Sequence, residues 1–114
     1  MTSSALKRRA REARSWLDEN CLALWSREGV LPSGLFREAL DITHRPLDPE
    51  AVRVRVQARQ TYVFCKARRL GWDEGRADRL ISLGVETLTG AACREDGLPG
   101  RTISVATGKL EDAT

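Results

Sequence analysis

The chain has 114 residues, 41% hydrophobic and 31% charged, with a formal charge of +3. That balance describes one globular domain at most and excludes a disordered chain. No apolar run approaches the ~20 residues of a membrane helix. The basic N-terminus, MTSSALKRRAREAR, has no apolar segment behind its charges, so no secretory signal is predicted either.

In chain order, residues 5–28 carry Leu6, Ala10, Ala13, Leu17, Cys21 and Leu24 every three or four positions. This spacing predicts a helix with one apolar stripe, stopped at Gly29. Lys7, Arg8, Arg9, Arg11 and Arg14 read as its solvated face, balanced by Glu12, Asp18 and Glu19. Leu31-Pro32-Ser33-Gly34 signals a turn, residues 35–40 a short strand interrupted by Arg37 and Glu38, and residues 43–49 a loop holding Pro46 and Pro49.

The next element carries two patterns. Val52, Val54 and Val56 alternate with Arg53 and Arg55, which alone predicts a strand, and the helical period takes over from Gln57. A helix over residues 51–70 is expected, its first turn the weakest part. It has two apolar stripes, Val56, Val63, Ala67 and Leu70 beside Val54, Ala58, Tyr62 and Cys65, as for a helix enclosed on most sides. Gly71 suits a left-handed helix end and Asp73 the N-cap of a second helix ending near Arg94. That helix has one stripe, Ala77, Leu80, Ile81, Gly84, Leu88 and Ala91, and the short link makes the pair an antiparallel hairpin. Residues 101–106 read as a short strand, followed by a turn at 107–109. No repeat of fixed length stands out.

Cys21, Cys65 and Cys93 are odd in number and far apart, which argues against a disulfide framework or a zinc site and for reduced thiols in a cytoplasm. No nucleophile elbow, phosphate-binding loop, zinc-protease motif or dinucleotide fingerprint is present, and no metal or cofactor is expected. Neighbouring carboxylates such as Asp18-Glu19, Asp73-Glu74 and Glu95-Asp96 fall in caps or turns. His44, the single His, lies in the Pro-flanked loop and is not expected to be catalytic, because a base needs fixed geometry.

The segment Val56-Gln57-Ala58-Arg59-Gln60, with Tyr62, Phe64, Ala67 and Leu70-Gly71-Trp72, resembles the N-terminal signature of the N-acylglucosamine 2-epimerase family of sugar epimerases and isomerases. Trp16-Leu17 to Leu24-Trp25 and residues 34–41 (GLFREALD) resemble the segments before it, in the same order. The resemblance runs from about Ala13 to the C-terminus, with the Asp96-Gly97 and 108–114 stretches fitting less distinctively. It implies a mostly α fold, the first hairpins of an incomplete (α/α)6 barrel with short β-like segments, and a single domain over residues 1–114.

The activity implied is proton removal beside a sugar carbonyl, through an enediolate, on mannose- or N-acylglucosamine-type sugars, some phosphorylated. Arg59 matches the family's substrate-contacting Arg, with a five-donor fork suited to sugar or phosphate oxygens. Gln57 and Gln60 are expected to support it, and Tyr62 and Phe64 to be core more than pocket. A guanidinium among so many apolar residues is expected to be enclosed and to need an acceptor. The family's His pair is absent, so the chain is expected to be truncated and inactive alone, and to self-associate through exposed apolar surface. The alternative is a small basic helical module for nucleic acid or a protein partner; nucleic acid and membrane are not favoured.

Overall fold

The structure, a computed structural model, describes residues 2–111 and is mostly helical. Helix α1 (Ser3–Trp16) runs through a π-helical stretch, Leu17–Leu22, into α2 (Ala23–Arg27). Thr2 caps the start, its hydroxyl accepting from the Ala5 N–H at 3.1 Å. Strand β1 (Ala51–Arg53) leads into α3 (Val54–Arg69); α4 (Glu74–Thr89) and β2 (Thr102–Ser104) follow.

The predicted stripe of the first helix is not a buried one. No residue of α1 is buried and Leu6 is exposed; burial begins only at Leu22, at the end of the π-helical stretch. The period-two and period-3.6 patterns of residues 51–70 are both real and divide at Arg53, strand before and helix after. Residues 35–40 form no strand, only isolated bridges from Phe36 to Val30 and from Leu40 to Pro46. The strand expected over 101–106 is limited to three residues, and α4 stops at Thr89 rather than near Arg94 because Gly90 leaves the helical region.

Helices α3 and α4 pack antiparallel: Arg68 reaches Asp78 at 2.9 Å near the link, while Thr61 lies against Gly84 farther along. The link follows its signals, with Gly71 at φ 87° and the Asp73 carboxylate accepting from the Arg76 N–H at 3.2 Å. Two clusters form the core. Leu22, Phe36, Phe64, Ala67, Trp72, Ala77 and Leu80 make the first, and its rings run Phe36–Phe64–Trp72 at centroid distances of 5.7 and 6.1 Å. The second joins Leu31, Leu35, Val54 and Ala92 to Val52 and Ile103, opposed partners in the antiparallel ribbon β1–β2.

Three loops share one hydrogen-bond scheme that no sequence repeat announces. Gly34 N–H donates to Leu31 O and Leu31 N–H to Leu35 O; His44 and Asp41, then Gly97 and Arg94, repeat the pair with Arg45 and Leu98. Each has a residue at positive φ in the same place: Gly34, His44 and Gly97, at 93°, 64° and 85°. The first and third add a bond across the base, Arg37 N–H to Gly29 O and Gly100 N–H to Ala92 O. Between these two loops only the Gly-Leu pair is shared in sequence, which is why the recurrence is invisible there.

At the hairpin's tightest point, a Cβ on Gly84 would stand 1.9 Å from Thr61 Oγ1 and 2.8 Å from Thr61 Cβ. Thr61 is short, branched and held by its own bond to Gln57 O at 2.8 Å, so it cannot swing aside. We predict that Gly84→Ala costs about 2 kcal/mol through overpacking, despite a helix-propensity gain of about 1 kcal/mol. Urea unfolding checks this; stability equal to or above the parent contradicts it.

Candidate functional site

The Gln-Ala-Arg-Gln segment lies in the first two turns of α3, and the helix divides its residues between opposite faces. The buried positions of α3 are Val54, Gln57, Thr61, Phe64 and Ala67, one face lying between the two predicted stripes rather than along either. Polar Gln57 and Thr61 hid that face from a count of apolar residues. Both are satisfied inside the protein: Phe36 N–H donates to Gln57 Oε1 at 2.8 Å, and Gln57 Nε2 donates to Phe36 O at 2.7 Å. Gln57 is 0% exposed, and its amide acts as a clamp between α3 and the loop after α2.

Arg59, two residues on, points the other way. It is exposed, contrary to the expectation of an enclosed guanidinium, because two residues turn a helix by about 200° from Gln57. No ion pair or hydrogen bond engages its side chain among the described residues. Tyr62, expected in the core, is 61% exposed on the same face, with Lys66 Nζ 5.5 Å from its ring centroid. Gln60 is half-buried. Arg55, Arg59, Tyr62 and Lys66 recur at helical spacing, so the structure brings the candidate Arg59 and Tyr62 together on one open stripe and sends Gln57 inward. Val63 and Leu70, at the edge of that stripe, are exposed as well.

The enclosed guanidinium is Arg37, which sequence reasoning passed over. It is 8% exposed; its Nη1 donates to the Glu28 and Val30 carbonyls, both at 2.9 Å, and its Nη2 meets Asp48 Oδ1 at 3.3 Å. The Glu28 carbonyl lies just past α2, so the cation meets the negative end of a helix. Its position three residues after Gly34 in an otherwise apolar Leu-Phe run was the available signal.

No proton-transfer pair is assembled among the described residues. His44 is exposed in its turn, and no group of three His, Cys, Asp or Glu residues among those described could hold a metal ion. No described helix is long and apolar enough to cross a membrane. The three cysteines are free thiols. The N-terminal basic cluster is partly paired internally, Arg8 and Arg9 with Glu12 and Arg14 with Asp18.

Two outcomes follow from the geometry. Gln57→Leu leaves the buried Phe36 N–H and C=O without partners and should destabilise by about 3 kcal/mol; an unchanged unfolding midpoint would show that the clamp carries no stability. The Asp41 carboxyl is held below its ordinary range, chiefly by the Thr43 hydroxyl and then by the Arg45 amide, with His44 adding a smaller electrostatic effect. A lowered folded pKa stabilises the 41–45 turn above the unfolded value, about pH 4, and that support is lost as pH falls through the lower folded value. Thr43 and Arg45 amide shifts followed by NMR should collapse together in that window; a collapse centred near neutral pH contradicts it.

Among proteins of known function, the chain is 40% identical over 65 residues to the mannose-6-phosphate isomerase of Rhizobium meliloti (strain 1021). The match covers 56% of this chain and 16% of that protein's length. No protein-family profile and no solved structure matches the chain. Over that stretch the chain is similar to a sugar isomerase.

Proposed function

We propose that residues 1–114 form the N-terminal, substrate-contacting part of a sugar isomerase or epimerase of the N-acylglucosamine 2-epimerase type. The complete catalytic domain would be an (α/α)6 barrel in which α3 lines the sugar pocket and α4 lies outside it. One observation carries this: a single short motif is split into a buried anchor, Gln57, and an exposed Arg59 with no partner among the described residues. A structural motif has no need of the second half. The similarity to a mannose-6-phosphate isomerase supports the same substrate class.

In this arrangement Arg59 donates to sugar hydroxyl or carbonyl oxygens through its fixed fork, and Tyr62 offers a ring face to the sugar's C–H surface. Gln57 holds the helix turn that aims Arg59, and Gln60 flanks it. Isomerisation moves a proton between adjacent carbons through an enediolate and needs an acid and a base tuned near neutrality. The exposed His44, in the 41–45 turn, is no such group, so this chain's share is to bind and orient the sugar. The open stripe with Val63 and Leu70 is also where further helices, or a second copy, would pack.

The test is NMR titration of the 114-residue chain with mannose and N-acetylmannosamine, beside a coupled isomerisation assay. Shifts should concentrate at Arg59 and Tyr62, and Arg59→Gln should weaken binding about tenfold, as expected for a charge-assisted hydrogen bond. Turnover of either sugar should be absent. Shifts located elsewhere, or measurable isomerisation by the isolated chain, would overturn the assignment.

A further inference from the structure

The side of α3 turned away from Gln57 carries a second period. Val56, Val63 and Leu70 recur at every seventh residue, and Arg59 and Lys66 fall between them at alternating spacings of three and four. Arg55, Tyr62 and Arg69 make a parallel row, each one position before an apolar member. Val56 is half-buried and all the others are exposed. This spacing is that of a seam along which two helices pack, with apolar residues at the contact and charges beside it choosing the partner. It covers about 20 Å of the helix axis, more than one sugar ring occupies.

The charges beside the seam have one sign. No carboxylate stands between Glu50 and Asp73. Arg68, on the edge toward α4, is served by Glu74 at 3.4 Å and Asp78 at 2.9 Å. Arg55, Arg59, Lys66 and Arg69 have no ion pair among the described residues. Two copies joined along this seam would set these cations against their own equivalents, which disfavours self-pairing. A nucleic-acid strand would use the cations but leave Val63 and Leu70 against phosphates, with Tyr62 as the one exposed ring of α3 for a base. An acidic amphipathic helix satisfies both halves of the surface. Its apolar residues meet Val63 and Leu70, and its flanking carboxylates meet the cations.

We propose that the open seam of α3 docks an acidic amphipathic helix of a partner protein. Val63 and Leu70 form the apolar contact, Lys66 and Arg69 select the partner's charge, and Arg55 engages its far end. Partner and sugar share Arg59 and Tyr62 only, so either assignment can fail without the other.

Fluorescence anisotropy of labelled helical peptides with the whole 114-residue chain tests this. The probe is a peptide of about 15 residues, with Leu at every seventh position and Glu at the flanking ones. A Gln-for-Glu version, a scrambled version and a single-stranded oligouridylate are the comparisons. The acidic peptide should bind at least about tenfold more tightly than the Gln version, and salt should weaken it. Lys66→Gln with Arg69→Gln should abolish that preference, and Val63→Ser should weaken both ordered peptides; circular dichroism verifies that each variant folds. Arg11→Gln with Arg79→Gln, at exposed sites of α1 and α4, is the charge control and should bind as the parent does. Absent binding, equal affinity for the Glu and Gln peptides, or equal affinity for the scrambled peptide overturns the docking site. So does a loss in the control pair equal to that in the Lys66 and Arg69 pair, which reduces the effect to net charge. Tighter, Lys66-dependent binding of oligouridylate gives the surface to nucleic acid, and a dimer that Val63→Ser dissociates gives it to a second copy; either overturns the partner helix.

Discussion

The aromatic cluster of the core is arranged around one buried amide. Gln57 meets both backbone groups of Phe36, and those two bonds allow a loop to enter the interior without leaving its peptide dry and unpaired. Once the loop is inside, the Phe36 ring lies against Phe64, which in turn faces Trp72 at the far end of the hairpin. The same glutamine gives its own carbonyl to Thr61, whose methyl and hydroxyl fill the gap left by the missing side chain of Gly84. Backbone satisfaction, aromatic packing and close helix approach therefore meet within two turns of α3. A Leu or Met at position 57 would add apolar area and lose all the directional content.

The placement of arginines follows from the same cost of burial. Arg37 is enclosed because the chain surrounds it with two carbonyls and a carboxylate. Arg53 stays partly open and is held by Glu38. Arg55 and Arg59 have no internal acceptor and stand in solvent on the stripe opposite Gln57. A cation's position thus follows the acceptors available to it: protein for Arg37, protein in part for Arg53, and solvent for the other two.

Much of the helical frame was legible in the sequence, and the reason is local. Gly71 and Asp73 end one helix and start the next by their own conformational preferences, and α4 shows its single stripe because its buried positions are apolar or small. The orientation of α3 was not legible. Its buried face contains Gln57 and Thr61, which pattern counting scores as solvent-facing, whereas Val63 and Leu70 on the open side score as core. Only the identity of the hydrogen-bond partners, backbone atoms of residues 36 and 57, resolves that conflict, and such pairings leave no trace in spacing. Arg59 was expected to be enclosed and Tyr62 to be core, and their shared exposure depended on the helix phase. The pairing of residues 51–53 with 102–104 was not legible either, being a long-range contact that periodicity does not carry.

The loops after α2 and after α4 carry the same three backbone bonds, sixty-three positions apart when the scheme is counted from Leu31 to Arg94. A linkage that leaves α2 and α4, with α3 between them, in the same manner acts as a generator in the sense of symmetry. Applied once it only redirects the chain; applied repeatedly it fixes a rotation and a rise for every later unit. When the rise is negligible the product closes on itself as a ring, and when it is not the product is a superhelix. In a longer assembly built on this plan the pitch of a five-residue turn would be one determinant of the architecture, so a residue inserted between Leu31 and Leu35 would change more than the shape of one loop.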